Sequence, residues 1–135
     1  MFEKIHRYPI LVKEVDLDLY AHVNNATYLK MLEEARWDFI QQNGYGYHKI
    51  AETGYGPIIL ETTIRYIQEL RLRDEILIET KFLSYEKKIG KMQQTMSRGD
   101  QLCCTADFTI ALFDLKARKL VLPTKEWLTA IGFAT

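Results

Sequence analysis

The sequence predicts an α+β arrangement in which one long buried helix packs against an antiparallel β-sheet of about five strands. Two observations lead to this prediction. Apolar residues between positions 26 and 42 recur with the period of a helix, and the segments after Pro57 alternate between apolar and polar residues as strands do. One strand precedes the helix and the others follow it, so we expect a single α+β domain over residues 1–135.

The composition is that of a globular protein: 47% of the 135 residues are hydrophobic and 27% are charged. Lysine plus arginine and aspartate plus glutamate both number 18, and this balance predicts no nucleic-acid partner, although a local basic patch is compatible with it. No apolar run reaches the roughly 18 residues of a membrane span. Cys103 and Cys104 are adjacent and cannot staple distant segments, so we expect a reduced, cytoplasmic protein without a membrane span.

The predicted helix covers residues 26–42, with Asn24 or Asn25 as its N-cap and an Asn-Gly pair at 43–44 as its stop signal. Its apolar face is formed by five residues at helical spacing: Tyr28, Met31, Leu32, Ala35 and Phe39. Three further apolar residues predict burial beyond this face: Leu29, Trp37 and Ile40.

The first strand is expected at residues 3–15, with Pro9 at an edge or a bulge. The later segments are expected to form consecutive antiparallel strands at 58–66, 75–85, 91–98 and 102–115, with turns at 86–90 and 98–100. We also expect a helical turn at 48–52 and a short final helix at 124–131, capped by Thr124. In the strand at 58–66, one face is expected to carry Ile58, Leu60, Thr62, Ile64 and Tyr66.

Polar side chains crowd the few residues before the helix. Asp18, His22 and Asn25 lie within eight positions of one another. A carboxylate there can attack an acyl carbon or activate a water, while the N–H of Asn25 at the helix N-terminus stabilises the oxyanion. Each residue also has a structural alternative, because Asp18 can complement the helix dipole and the asparagines can act as caps. The residues alone leave both readings open.

The run DLDLYAHVNNATYLKMLEEARWD at residues 16–38 resembles the motif of hotdog-fold thioesterases of the 4-hydroxybenzoyl-CoA thioesterase superfamily. It is especially similar to the FadM-type long-chain acyl-CoA thioesterases. The stretch YIQELRLRDEILI at 66–78 is similar to the family's second pattern, Y-x-x-P-x-x-x-GD-x-L-x-I. Glu69 stands there in place of the proline and Arg73 in place of the glycine.

This resemblance implies a long helix wrapped by an antiparallel sheet, and homodimers or homotetramers with active sites between subunits. It implies that Asp18 is the catalytic nucleophile or general base and that the N–H of Asn25 polarises the thioester carbonyl. His22 matches a histidine of the plant acyl-carrier-protein thioesterases and is expected to orient Asp18 or a water. Tyr20 stands where that plant family keeps an asparagine. We expect Tyr20, Asn24 and Tyr28 to bind substrate.

The expected function is hydrolysis of a fatty acyl-CoA, of long or medium chain, to free acid and CoA, with no metal and no cofactor beyond the CoA of the substrate. An acyl carrier protein thioester is the alternative substrate. Lys87, Lys88 and Lys91 are expected to meet the CoA phosphates, unless they are only a solvated turn. The alternatives to hydrolysis are a hotdog hydratase or dehydratase and a non-catalytic acyl-thioester binding module.

Several charged or reactive residues are expected to have structural roles instead. Glu33 and Glu34 could supply the carboxylate, as in another hotdog branch, but we expect them to form surface ion pairs with Lys30 and Arg36. Asp16 is likewise expected to be structural. The two cysteines are expected to be core and face residues of a strand, not nucleophiles.

Overall fold

A computed structural model describes residues 1–134 of the chain and contains six strands and three α-helices. The strands are β1 (His6–Leu11), β2 (Tyr55–Tyr66), β3 (Glu75–Glu86), β4 (Ile89–Arg98), β5 (Gln101–Asp114) and β6 (Lys119–Val121). The helices are α1 (Asn25–Gln42), α2 (Tyr47–Thr53) and α3 (Lys125–Ala130), and a 3₁₀-helical turn covers Glu14–Asp16. Both predicted hairpin turns and both predicted short helices are present. No helix of the part described is long and apolar enough to cross a membrane.

The strands form one antiparallel sheet in the order β1-β3-β4-β5-β2, with β6 added beside β5. The prediction that the four strands after the helix pair in the order of the sequence is therefore wrong for β2. This strand pairs with β5 at one end of the sheet, and residues 67–74 carry the chain to β3 on the other side. This crossover was not predicted, because alternation identifies strands but not their neighbours in the sheet. At three residues, β6 was too short to be predicted.

Helix α1 lies on the inner face of this sheet and begins at Asn25, one residue before the predicted start. The side chain of Asn24 accepts a hydrogen bond from the N–H of Ala26 at 2.9 Å, so Asn24 is the N-cap and Asn25 is the first helical residue. The predicted apolar face is buried, and each large side chain in it contributes about 1.5–3 kcal/mol to folding. Ile40 is buried too, but Leu29 and Trp37 remain 40% and 43% exposed, so the helix is open along one side.

Strand β1 is shorter than predicted because the chain bends into the 3₁₀-helical turn after residue 13. Pro9 lies in this strand, which ends the sheet, so the predicted edge position is confirmed. In β2 a bulge at Leu60 shifts the alternation. Consequently Ile59, and not Ile58 or Leu60, pairs across the sheet with the inward-facing Ile110.

Cys103 and Cys104 are both fully buried free thiols. A register shift between β4 and β5 beside them lets two adjacent residues enter the interior, where a regular strand would send one outward. Burial raises the pKa of the Cys104 thiol to about 12. A thiol that stays protonated is a poor nucleophile, which agrees with the predicted core role.

Candidate active site

The segment before α1 folds into a tight loop that presents Asp18 beside the start of the helix. Leu17 bridges to Val23, the N–H of Asp18 donates to the carbonyl of His22 at 3.0 Å, and the N–H of Ala21 donates to the carbonyl of Asp18 at 3.1 Å. Ala21 has a positive φ of 64°, which closes the turn. The sequence therefore brings Asp18 and His22 together through local backbone bonds.

The carboxylate of Asp18 is half-buried and only partly used by the protein. One oxygen accepts a hydrogen bond from the N–H of Tyr20 at 2.8 Å. The other accepts none from residues 1–134 and is available to a water or an acyl carbon. Tyr20 thus contacts Asp18 through its backbone N–H. Its side chain stacks on the ring of His22, and the residue is 79% exposed.

Most of the predicted site residues line one cavity of about 350 Å³, which we call the Asp18 cavity. The motif before and within α1 contributes Asp18, Tyr20, His22, Asn25 and Tyr28 to its lining. The opposite wall is the crossover after β2, with Tyr66 and the loop residues 67–69. The tertiary structure therefore places two distant segments of the sequence around one space.

The first residue of α1 lines this cavity and carries a free backbone donor. The Asn24 side chain occupies the N–H of Ala26, and the N–H of Thr27 donates to the Asn24 carbonyl. The N–H of Asn25, which lines the cavity, has no acceptor within the described residues. An unpaired N–H at the positive end of a helix dipole is suited to stabilising an oxyanion.

Two tyrosines hold the crossover wall against the helix, and their role was not predicted from the sequence. The hydroxyl of Tyr66 donates to the carbonyl of Asn25 at 3.1 Å, and the hydroxyl of Tyr28 accepts from the N–H of Leu70 at 3.2 Å. The two rings meet edge to face with centroids 4.9 Å apart. Burial raises the pKa of both phenols, so both remain neutral hydrogen-bonding groups.

A second carboxylate, that of Glu69, also lines the cavity. Its Oε2 lies 3.8 Å from Nε2 of His22. Its Oε1 accepts a hydrogen bond from Nε of Arg71 at 2.8 Å and forms an ion pair with Nη2 of the same guanidinium at 2.7 Å. Glu69 occupies the position where the resembled pattern has proline. This chain has thus added an acidic group beside His22, and the substitution within the second pattern was the only sequence signal for it.

The predicted lysines are not part of this cavity within one chain. Lys87 and Lys88 form the turn between β3 and β4, and the Lys91 ammonium donates to the hydroxyl of Thr109 at 2.8 Å. Because the site lies opposite Cys104 on β5, the strand rise puts Lys91 roughly 15–20 Å away along the sheet.

The predicted ion pairs on the surface of α1 are wrong. Glu34 accepts a hydrogen bond from the Tyr8 hydroxyl, which raises the pKa of Tyr8 to about 12. Arg36 turns inward, donates to Oε1 of Gln94 at 3.1 Å and lies over the ring of Phe108. Sequence spacing favoured contacts within the helix, but partners on the sheet lie within reach and the side chains bond to those instead. Neither Glu33 nor Glu34 lines the Asp18 cavity.

Asp16 and Asn24 have local structural contacts. The Asp16 side chain accepts a hydrogen bond from the N–H of Lys13 at 2.8 Å and closes the 3₁₀-helical turn, as expected of a structural residue. The Asn24 side chain caps α1 and does not line the cavity, which leaves its predicted contact with substrate without support in this arrangement.

Comparison with protein families gives a match over nearly the whole chain. The model of the thioesterase-like superfamily matches residues 12–131. Among curated proteins, the long-chain acyl-CoA thioesterase FadM of Escherichia coli is 32% identical over 112 residues, which cover 82% of this chain and 84% of FadM. The chloroplastic acyl-acyl carrier protein thioesterase ATL3 of Arabidopsis thaliana is 26% identical over 58% of this chain and 41% of ATL3.

Solved structures agree with these matches. The YbaW probable thioesterase from Escherichia coli superposes with a TM-score of 0.84 at 27% identity, over 95% of this chain and 99% of YbaW. A Staphylococcus aureus protein solved in complex with CoA superposes with a TM-score of 0.88 over 97% of this chain and 84% of its own, at 19% identity, which shows likeness of fold. The predicted α+β hotdog fold is confirmed.

Proposed function

The chain belongs to the thioesterase-like superfamily and is a thioester hydrolase, and on that premise we propose that it hydrolyses fatty acyl-CoA, of long or medium chain, to the free acid and CoA. The observation that carries this proposal is that two residues with unused polar groups line one cavity. These groups are the second carboxylate oxygen of Asp18 and the unpaired N–H of Asn25.

In the proposed reaction, the thioester carbonyl accepts a hydrogen bond from the N–H of Asn25 while Asp18 faces the acyl carbon. As a general base, Asp18 takes a proton from water as the water oxygen bonds to that carbon. The C–S bond then breaks, and the CoA thiolate receives the proton. As a nucleophile, Asp18 instead forms an acyl anhydride, releases the thiolate and is freed by water. One oxyanion donor of this kind contributes roughly 10²–10³ in rate.

The other cavity residues have supporting roles in this proposal. His22 orients the attacking water or Asp18, and its own ring is placed by Glu69 and by stacking on Tyr20. Tyr20 and Tyr28 line the path of the acyl thioester. Asn24 contributes indirectly, because its cap fixes the first turn from which the N–H of Asn25 projects.

We also propose that the protein acts in the cytoplasm as a homodimer or homotetramer, without a cofactor. Strand β2 ends the sheet, and such a long unpaired edge is a template for pairing. Antiparallel pairing of two β2 strands would bring Lys87, Lys88 and Lys91 of a second copy toward the end of the sheet that holds Asp18. This supports their proposed contact with CoA phosphates, and light scattering of the purified protein tests the assembly.

Release of free thiol from acyl-CoA, followed with a disulfide dye, tests the reaction. We expect Asp18→Asn to lose at least about a hundredfold in kcat and to keep its thermal unfolding midpoint, while the control Asp16→Asn keeps most of its rate. Full activity of Asp18→Asn would refute the mechanism. In a single turnover in ¹⁸O-labelled water, label in the Asp18 carboxylate identifies the nucleophilic route with water attack on the Asp18 carbon of the anhydride. Water attack on the acyl carbon, in either route, places the label in the fatty acid.

A further inference from the structure

A second cavity, of about 240 Å³, lies between the C-terminal half of α1 and the start of β2. Helix α1 contributes Glu33, Arg36, Trp37 and Ile40 to its lining, and β2 contributes Pro57, Ile58 and Ile59. The rest of the lining is apolar and includes Phe82, Met92 and Trp127. No residue of this lining belongs to the Asp18 cavity.

The same two elements, α1 and β2, contribute to the lining of both cavities, and the space between these elements is called the groove below. On the helix, Asn25, Leu29, Glu33, Arg36 and Ile40 follow one another at intervals of three or four residues and therefore share one face. Asn25 lines the first cavity, while the last three line the second. Leu29 lies between the cavities and is 40% exposed.

The strand side of the groove runs in the opposite direction. Tyr66, at the end of β2, bonds to Asn25 and lines the Asp18 cavity, whereas Ile59 lines the second cavity together with Ile40. Between them, Ile64 and Thr62 are paired with buried residues of β5 and so face the helix. One face of α1 and one face of β2 therefore border the groove from Asn25 to the second cavity.

The length of the groove selects among acyl groups. At a rise of about 1.5 Å per residue, Glu33 lies about 12 Å and Ile40 about 22 Å along the helix from Asn25. A zigzag alkyl chain with bonds of about 1.5 Å advances roughly 1.3 Å per carbon. A chain of about ten carbons would thus reach the near edge of the second cavity, and one of about sixteen would extend through it.

The charged residues beside the second cavity do not point to a charged occupant. The guanidinium of Arg36 is engaged by Gln94 and by the ring of Phe108, 4.6 Å from its centre. Glu33 lies exposed at the rim, where it would repel a carboxylate. The remaining lining is apolar, which favours a plain alkyl chain over one that ends in an acidic group.

We propose that the groove binds the acyl tail and that the second cavity holds the end of a straight chain of about twelve to sixteen carbons, so that Ile59 sets the chain-length preference. This proposal rests on the proposed function, because the position of the thioester beside Asn25 fixes where the tail begins. Each methylene that reaches the apolar cavity is expected to raise kcat/KM up to about fourfold.

The test places a bulky residue at the cavity wall. Ile59 is 37% exposed and can accept a larger side chain, so we compare Ile59→Trp with the control Thr63→Trp, which lies on the outer face of the same strand. Ile59→Phe serves as a milder variant where the tryptophan lowers the unfolding midpoint. Thiol release is measured on hexanoyl-, decanoyl- and hexadecanoyl-CoA, and thermal stabilisation is measured with a non-hydrolysable thioether analogue of hexadecanoyl-CoA.

We expect the wild-type protein to prefer the sixteen-carbon substrate. Ile59→Trp should lose at least about tenfold in kcat/KM on that substrate, change less than about twofold on hexanoyl-CoA and lose the stabilisation by the thioether analogue. Thr63→Trp should behave as wild type. An unchanged length profile in a folded Ile59→Trp protein, or a wild-type preference for hexanoyl-CoA, would overturn the groove proposal. Absence of thiol release together with a stabilisation by the thioether analogue that Ile59→Trp abolishes would instead refute only the proposed hydrolysis.

Discussion

Two tyrosines form hydrogen bonds near the start of α1, and their different burial allows a quantitative prediction. Tyr28 is buried and accepts a hydrogen bond, while Tyr66, at the end of β2, is exposed and donates one. Tyr28 is 3% exposed, and its hydroxyl is the acceptor for the N–H of the fully buried Leu70. Tyr28→Phe leaves that N–H without a partner in the interior. An unsatisfied buried donor costs about 1–3 kcal/mol, so we expect this variant to lose about 2 kcal/mol of folding free energy.

Tyr66→Phe is the matched comparison at the same helix terminus. The Tyr66 side chain is 47% exposed, and its hydroxyl donates to the carbonyl of Asn25, a group that water can reach and satisfy instead. The expected loss is therefore below about 1 kcal/mol. Because this bond fixes Asn25, whose N–H is the proposed oxyanion donor, we expect kcat of Tyr66→Phe to fall by about two- to fivefold with little change in KM.

Urea denaturation and thiol-release kinetics of both variants provide the measurements. Tyr47→Phe is the control, because that ring is 73% exposed and its hydroxyl bonds to no described residue. A Tyr28→Phe protein as stable as Tyr66→Phe would refute the assignment of Leu70 to the Tyr28 hydroxyl. Full activity of Tyr66→Phe would show that the helix terminus is held without this contact.

Two further predictions concern the stability of the fold. Gln94 is fully buried and joins Arg36 to the hydroxyl of Thr80. Gln94→Leu should therefore lose about 3 kcal/mol of folding free energy in urea denaturation, whereas Gln93→Leu, at the half-buried neighbouring position, should lose less than about 1 kcal/mol. Equal losses in the two variants would contradict this hydrogen-bond network. Hydrogen bonds from the N–H groups of Ala117 and Lys116 lower the pKa of the Asp114 carboxyl. The contribution of this carboxylate to folding stability is therefore present above its unfolded-state pKa of about 4 and disappears as the pH falls through the lower folded-state pKa. Asp114→Asn should therefore weaken the loss of thermal stability on acidification below about pH 4, and an identical acid limb in the two proteins would contradict this.

Much of the fold followed from periodicity in the sequence. The apolar spacing from Tyr28 to Phe39 identified α1 and its buried face because side chains at helical intervals must share one side of the helix. Alternation identified four strands after the helix, and local turn chemistry marked their ends. It could not give their order, since the pairing of β2 with β5 depends on contacts between residues far apart in the sequence. The bulge at Leu60 likewise depends on the partner strand.

The candidate site divides in the same way. The sequence by itself determined that Asp18, His22 and Asn25 lie together, because the loop before α1 is closed by its own backbone bonds and the cap at Asn24 is local. Only the tertiary structure decided the opposite wall, where the crossover brings Tyr66 and Glu69 to the helix N-terminus. It also decided that Arg36 bonds to Gln94, because the sheet offers a buried partner that no spacing within the helix reveals.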